Sequence, residues 1–136
     1  IMSRRKSREQ AFIFLFESTF GFQSLNEIIV NAEIVRNEKI DSFTRELFEG
    51  VIKNQEILDE YIEKNLKDWS KNRLSKVTLS ILRLAIFEML FVKETPISVS
   101  INEAVELAKK YSTKQEASYI NGVLGSVSKS IEKNEN

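Results

Sequence analysis

The sequence predicts an all-α domain, and three observations carry that prediction. There are only 4 Gly and 1 Pro in 136 residues, too few turn-formers for a strand-rich fold. Apolar residues recur at threes and fours in nearly every segment, which is the helical period. At 42% hydrophobic residues the chain can bury a core, which excludes a wholly disordered tail. A chain of 136 residues has the modal size of one domain, so residues 1–136 are expected to form a single unit. Ile1 ahead of Met2 reads as an added residue, and Met2 as the natural start.

The first helix is expected over Ser3 to Thr19, with Ala11, Phe12, Leu15 and Thr19 on one face and Arg4 and Arg8 continuing that stripe. Four cations, Arg4, Arg5, Lys6 and Arg8, crowd its start. The macrodipole is positive there, so local stability does not explain them. Either an anionic partner or a solvated, frayed terminus does. Phe12, Phe14, Phe16, Phe20 and Phe22 cannot all enter one core, because i and i+2 point to different sides of a helix. Phe14, offset from the stripe, is assigned to an edge or a partner contact.

A second helix is expected over Leu25 to Asn37, with Leu25, Ile28, Ile29, Ala32 and Val35 on one side. Asp41 or Ser42 then caps a longer segment carrying Phe43, Leu47, Val51, Leu58 and Ile62, with a break near Asn54. Residues 74–92 are apolar nearly all round and form the central helix, buried by neighbours on several sides. Lys76, Arg83 and Glu88 inside it argue against a membrane span. Arg83 calls for an ion-pair partner, since an unpaired buried charge is costly.

After Pro96, Ser100 and Glu103 have the spacing of a capping box, followed by a helix presenting Ile101, Ala104, Val105 and Ala108. Thr113 and Glu116 offer a second box for the last helix, with Ala117, Ile120, Leu124, Val127 and Ile131 as its stripe. Gly122 and Gly125 lie inside that helix, where each costs about 1 kcal/mol relative to Ala. A close crossing with the helix at Ile101 is the expected compensation. Residues 132–136 are expected to be disordered.

The chain has no Cys and no His. That removes disulfides, thiol nucleophiles, zinc–thiolate sites and imidazole catalysis. There is no phosphate-binding glycine loop, and Asn121 to Gly125 continues a helix rather than opening one after a strand. No carboxylate pair stands out, so neither an enzyme nor a metal or cofactor site is expected. No secretory signal is visible, which fits the cytoplasm.

The net charge is zero, with 20 basic and 20 acidic residues, but the charges are sorted. Residues 1–8 hold four cations and no acid, residues 9–68 hold 13 acids against 6 bases, and residues 69–93 hold 5 bases against Glu88 alone. With Lys109, Lys110 and Lys114 around Tyr111, the basic zones can hold a phosphate backbone. Tyr111 and Tyr119 can stack on unpaired bases or serve as amphipathic core residues.

The opening RRKSREQAFIFLF, then WSKNRLSKVTLSILRLAIFEML, TPISVSINEAVELAKKY and the closing YINGVL resemble, in order, the blocks of the NusB family, from Arg4 to Leu124. The resemblance implies about seven helices in two antiparallel three-helix bundles packed across each other. It also implies a non-catalytic factor in transcription antitermination. Such a factor binds boxA-type single-stranded RNA of nascent ribosomal-RNA transcripts with NusE, a small-subunit ribosomal protein, while RNA polymerase and other factors are engaged.

On that resemblance Arg4, Arg5, Lys6 and Arg8, with Lys114, Gln115 and Tyr119 at the last helix, face RNA, and Ser75 and Thr78 face NusE. Thr78 stands where some members carry an acid, which removes any salt bridge at that point. Glu103 and the NGVL block read as packing. The module also occurs fused to ribosomal-RNA methyltransferases, and the free-standing form is expected here. The sequence leaves the oligomeric state open, including whether a homodimer covers the RNA face. The alternative is a helical protein-interaction adaptor without RNA affinity.

Overall fold

A computed structural model describes residues 2–66 and 74–135. Among these the regular structure is helical: α1 (Arg4–Ser18), α2 (Leu25–Val30), α3 (Ser42–Lys53), α4 (Gln55–Asn65), α5 (Lys76–Phe91), α6 (Ile97–Tyr111) and α7 (Lys114–Glu135). Helix α1 packs on α2 and α3, while α5, α6 and α7 pack on one another and α4 joins them through α5 and α7. Helix α5 also touches α1 and α3, so it forms a wall common to both groups. Its Ile81, Leu82 and Ile86 are fully buried, as expected of a helix apolar on most sides. No described helix is long and apolar enough to cross a membrane.

The helix ends follow local chemistry. Ser3 accepts the Lys6 amide at 3.2 Å and caps α1. Asp41 caps α3 by accepting the Thr44 amide at 2.9 Å, and its other oxygen takes the Ser7 hydroxyl at 2.8 Å, tying α1 to α3. The expected break falls at Asn54, which ends α3 and begins α4. Arg83 finds the expected ion pair, bonding Asp59 on α4 at 2.8 and 2.9 Å.

Several expectations are corrected. Phe14 is fully buried and packs on Phe48, ring centres 5.5 Å apart, so Phe22 at 88% exposure is the edge phenylalanine. The second helix ends in a π-turn, Asn31–Val35. The wider turn rotates Val35 off the stripe and leaves it exposed.

Helix α6 begins a turn earlier than expected, after Pro96, so Ser100 lies inside it and caps nothing. Ser100 is buried with no hydrogen-bond partner for its hydroxyl. Thr113 does cap α7, accepting the Glu116 amide at 3.0 Å, but the Glu116 carboxylate turns to Thr78 instead of completing a box.

No close crossing exists at Gly122 or Gly125, because a Cβ at either position would meet open space. The close approach is at Gly50, where a Cβ would run into the Phe87 ring. Helix α7 runs to Glu135, into the stretch where the sequence predicts disorder.

Candidate nucleic-acid interface

The first two turns of α1 carry four cations, and the fold treats them differently. Arg4 is exposed, and its guanidinium lies 3.7 Å from the centre of the Phe43 ring. Arg5, with 74% of its side chain exposed, donates from Nε to both Glu103 oxygens at 3.3 and 3.2 Å. Lys6 is exposed.

Arg8, expected on the RNA face, is only 6% exposed. Its Nε and Nη2 bond the buried Glu88 carboxylate at 2.6–3.0 Å, and Nη1 lies 3.5 Å from Glu103. This is a structural ion pair between α1, α5 and α6. It turns Arg8 away from solvent because Glu88, inside an apolar helix, requires a cation.

Helix α6 supplies the opposite wall. A groove of about 590 Å³ runs between the two helices, with Arg5 and Lys6 on one side and Lys109 and Lys110 on the other. Lys110 pairs with Glu9 on α1, and the Tyr111 hydroxyl donates to the same carboxylate oxygen at 2.8 Å. Lys109 lies 3.6 Å from Glu106. The Lys110 hydrogen bond holds Glu9 below the ordinary carboxylate range against the opposing effect of burial, and the Tyr111 bond adds to it. Burial, followed by the bond to Glu9, pushes the Tyr111 phenol up. The Tyr111 ring packs on Phe12 with centres 4.9 Å apart but stays exposed at the edge of the core.

The remaining site residues lie apart from this groove. Lys114 and Gln115 are exposed in the first turn of α7. Tyr119 is half-buried against the core and borders a separate groove with Asn65, Gly122 and Ser126. Of the basic zone around residues 71–76, Lys71 and Arg73 lie outside the described residues. Lys76 donates to the Thr19 carbonyl at 3.1 Å and lies over the Phe20 ring.

Ser75 is exposed and caps α5. Thr78, expected on a partner face, is 1% exposed, and its hydroxyl donates to Glu116 at 3.2 Å. It therefore sits behind that surface, where the α5 and α7 starts meet. Sequence reading did not single out Glu9 or the pairing of Glu88 with Arg8, and Glu103, read as packing, joins α6 to α1 through Arg5 and Arg8. The available signal was Glu88, the one acid in residues 69–93.

The described residues thus form a helical module with a groove between α1 and α6 lined by cations and by Glu9, Glu103 and Glu106, and no cluster of metal-ligating side chains is found among them. The chain belongs to the NusB family, whose family model matches residues 5–129. It is 44% identical over 140 residues to the transcription antitermination protein NusB of Clostridium botulinum (strain Kyoto / Type A2), covering 91% of this chain and 98% of that one. It is 40% identical over 131 residues to the protein of the same name from Bacillus subtilis (strain 168), covering 96% and 98%.

Among solved structures, T. maritima NusB superposes with a TM-score of 0.84 at 34% identity, over 94% of this chain and 92% of that one. A crystal structure of the antitermination factors NusB and NusE in complex with dsRNA gives a TM-score of 0.84 at 27% identity, over 93% and 96%.

Proposed function

We propose that this chain acts without catalysis as a cytoplasmic antitermination factor, holding boxA-type single-stranded RNA on its α1/α6 face together with NusE and the transcribing polymerase. The observation that carries the reading is the groove in which Arg5 and Lys6 of α1 face Lys109 and Lys110 of α6. Two helices distant in sequence bring exposed cations to one channel, the arrangement a phosphate backbone requires. Arg4 extends the row at the helix start, and Lys114, Gln115 and Tyr119 add a second patch at the α7 turn. Ser75 marks the NusE side, with Thr78 supporting it from behind. The similarity to a NusB structure solved with NusE and dsRNA supports NusE and RNA as partners, and the single-stranded form of that RNA rests on the family resemblance.

Replacing Arg4, Arg5 and Lys6 together by Ala is expected to leave helicity intact, because all three are exposed. It should weaken binding of a single-stranded boxA-like RNA. The slope of log affinity against log salt should fall by about 0.7 for each phosphate the protein no longer neutralises. Unchanged affinity and slope would favour the adaptor reading instead.

A further inference from the structure

We propose that Glu9, Glu103 and Glu106 are built-in counter-ions of the α1/α6 groove, occupying the places of RNA phosphates, so that RNA enters by displacing the protein's own carboxylates. The inference rests on the RNA-binding reading above and deepens it.

Its ground is the pairing pattern along the groove. Arg5 is held by Glu103, Lys109 by Glu106 and Lys110 by Glu9. Carboxylate and phosphate oxygens accept the same charge-assisted hydrogen bonds from guanidinium and ammonium groups, so each acid occupies a cation that a phosphate could claim. Exposed ion pairs of this kind contribute little to stability. The fold therefore gives them up at small cost.

The second ground is an asymmetry in two of the three pairs, Arg5 with Glu103 and Lys110 with Glu9. The cations face solvent, with side chains 74%, 52% and 62% exposed for Arg5, Lys109 and Lys110. Glu106, paired within its own helix, is as open as Lys109 at 56%, but Glu103 and Glu9 are only 16% and 17% exposed. Each is also held from behind, Glu103 by the Arg8 guanidinium at 3.5 Å and Glu9 by the Tyr111 hydroxyl at 2.8 Å. When a phosphate draws Arg5 or Lys110 outward, the acid left behind keeps a partner. It does not become an unpaired, half-buried charge, the costly outcome that would otherwise lock the groove shut.

A groove neutralised from within discriminates by valency. A free phosphate breaks one internal pair to form one new pair, whereas a strand spreads the exchange over several phosphates and gains counterion release at each. The three acids thus select a polyanion over isolated anions.

The test is anisotropy of a fluorescein-labelled single-stranded oligoribonucleotide across a KCl series, with a melting curve for every variant. Glu9→Gln and Glu106→Gln keep the side-chain shape and are each expected to tighten binding about two- to fivefold at low salt. Each should also steepen the salt slope by up to about 0.7, because no carboxylate is left to recruit a cation. Glu63→Gln, the same charge change on the exposed face of α4, should leave both unchanged. Glutamine variants that bind like the parent, while Arg5→Ala and Lys6→Ala bind more weakly, would overturn the counter-ion role and leave the RNA groove standing. An equal gain in Glu63→Gln would reduce the effect to net charge and also overturn it. A parent protein that does not bind, or is indifferent to Arg5→Ala and Lys6→Ala, overturns both the inference and the reading beneath it.

Discussion

Arg5 and Arg8 share a helix, a chemistry and a neighbour in Glu103, yet burial gives them opposite duties. Arg5 is mostly in water, and its ion pair contributes at most about 1 kcal/mol. Arg8 compensates Glu88, which is 1% exposed on the central helix. Arg8→Ala would leave that carboxylate buried and unpaired, and is expected to destabilise the protein by about 3–5 kcal/mol in urea unfolding. Arg5→Ala should stay within about 1 kcal/mol of the parent. An Arg8→Ala protein that unfolds with the parent would show that Glu88 has another partner. The cationic run itself was legible in the sequence, but the division of labour within it was not. Arg8 and Glu88 are 80 positions apart, and periodicity carries no information across such a distance. The lone acid in an apolar helix was the one residue-level hint that a distant cation had to arrive.

At the scale of the element, helix positions followed apolar spacing closely, and errors gathered where a short pattern has two readings. Ser-x-x-Glu occurs at both Ser24 and Ser100. At Ser24 it forms a full capping box, with Glu27 donating its amide to Ser24 Oγ at 3.2 Å and the Ser24 amide returning to the Glu27 carboxylate at 3.1 Å. At Ser100 it caps nothing, because Pro96, with φ near −59°, starts α6 one turn earlier.

The helical glycines show the same ambiguity, since a sequence cannot say whether a missing side chain serves a neighbour or nothing at all. Gly122→Ala, on an exposed face with open space at Cβ, is expected to stabilise the fold by about 1 kcal/mol. Gly50→Ala, against the Phe87 ring, should lose about 1–3 kcal/mol to overpacking. Thermal melts of the two variants should move in opposite directions. A Gly122→Ala protein that melts lower than the parent would restore the close crossing.

For the molecule as a whole, one hydrogen bond joins the surface proposed for NusE to the α7 patch proposed for RNA. Thr78, behind the exposed start of α5, donates to Glu116 in the first turn of α7, next to Lys114 and Gln115. On that proposal, binding at one surface is expected to bias the geometry of the other, and linkage requires the effect to be reciprocal. NusE should tighten RNA binding by the same factor as RNA tightens NusE binding. Thr78→Val should reduce that factor while leaving each separate affinity nearly unchanged. Calorimetry of all four legs of the cycle checks this, and a factor of one in the parent protein would remove the coupling altogether. The helices were readable from apolar spacing, but their division into two groups came from family resemblance alone, because spacing does not say how helices associate. This bridge was readable from neither, because Thr78 was expected to point outward.

Beyond its tie to α3, α1 is held by bonds that reach across about three-quarters of the chain. Arg5 meets Glu103 across 98 positions, and Glu9 meets Lys110 across 101. During synthesis the first helix therefore leaves the ribosome long before its counterparts exist, with Arg5, Arg8 and Glu9 all in water. Its final seat forms only after α6 has emerged, so the cationic groove is among the last parts of the nascent protein to mature. A growing chain cannot offer that surface to RNA before the body that supports it is nearly finished.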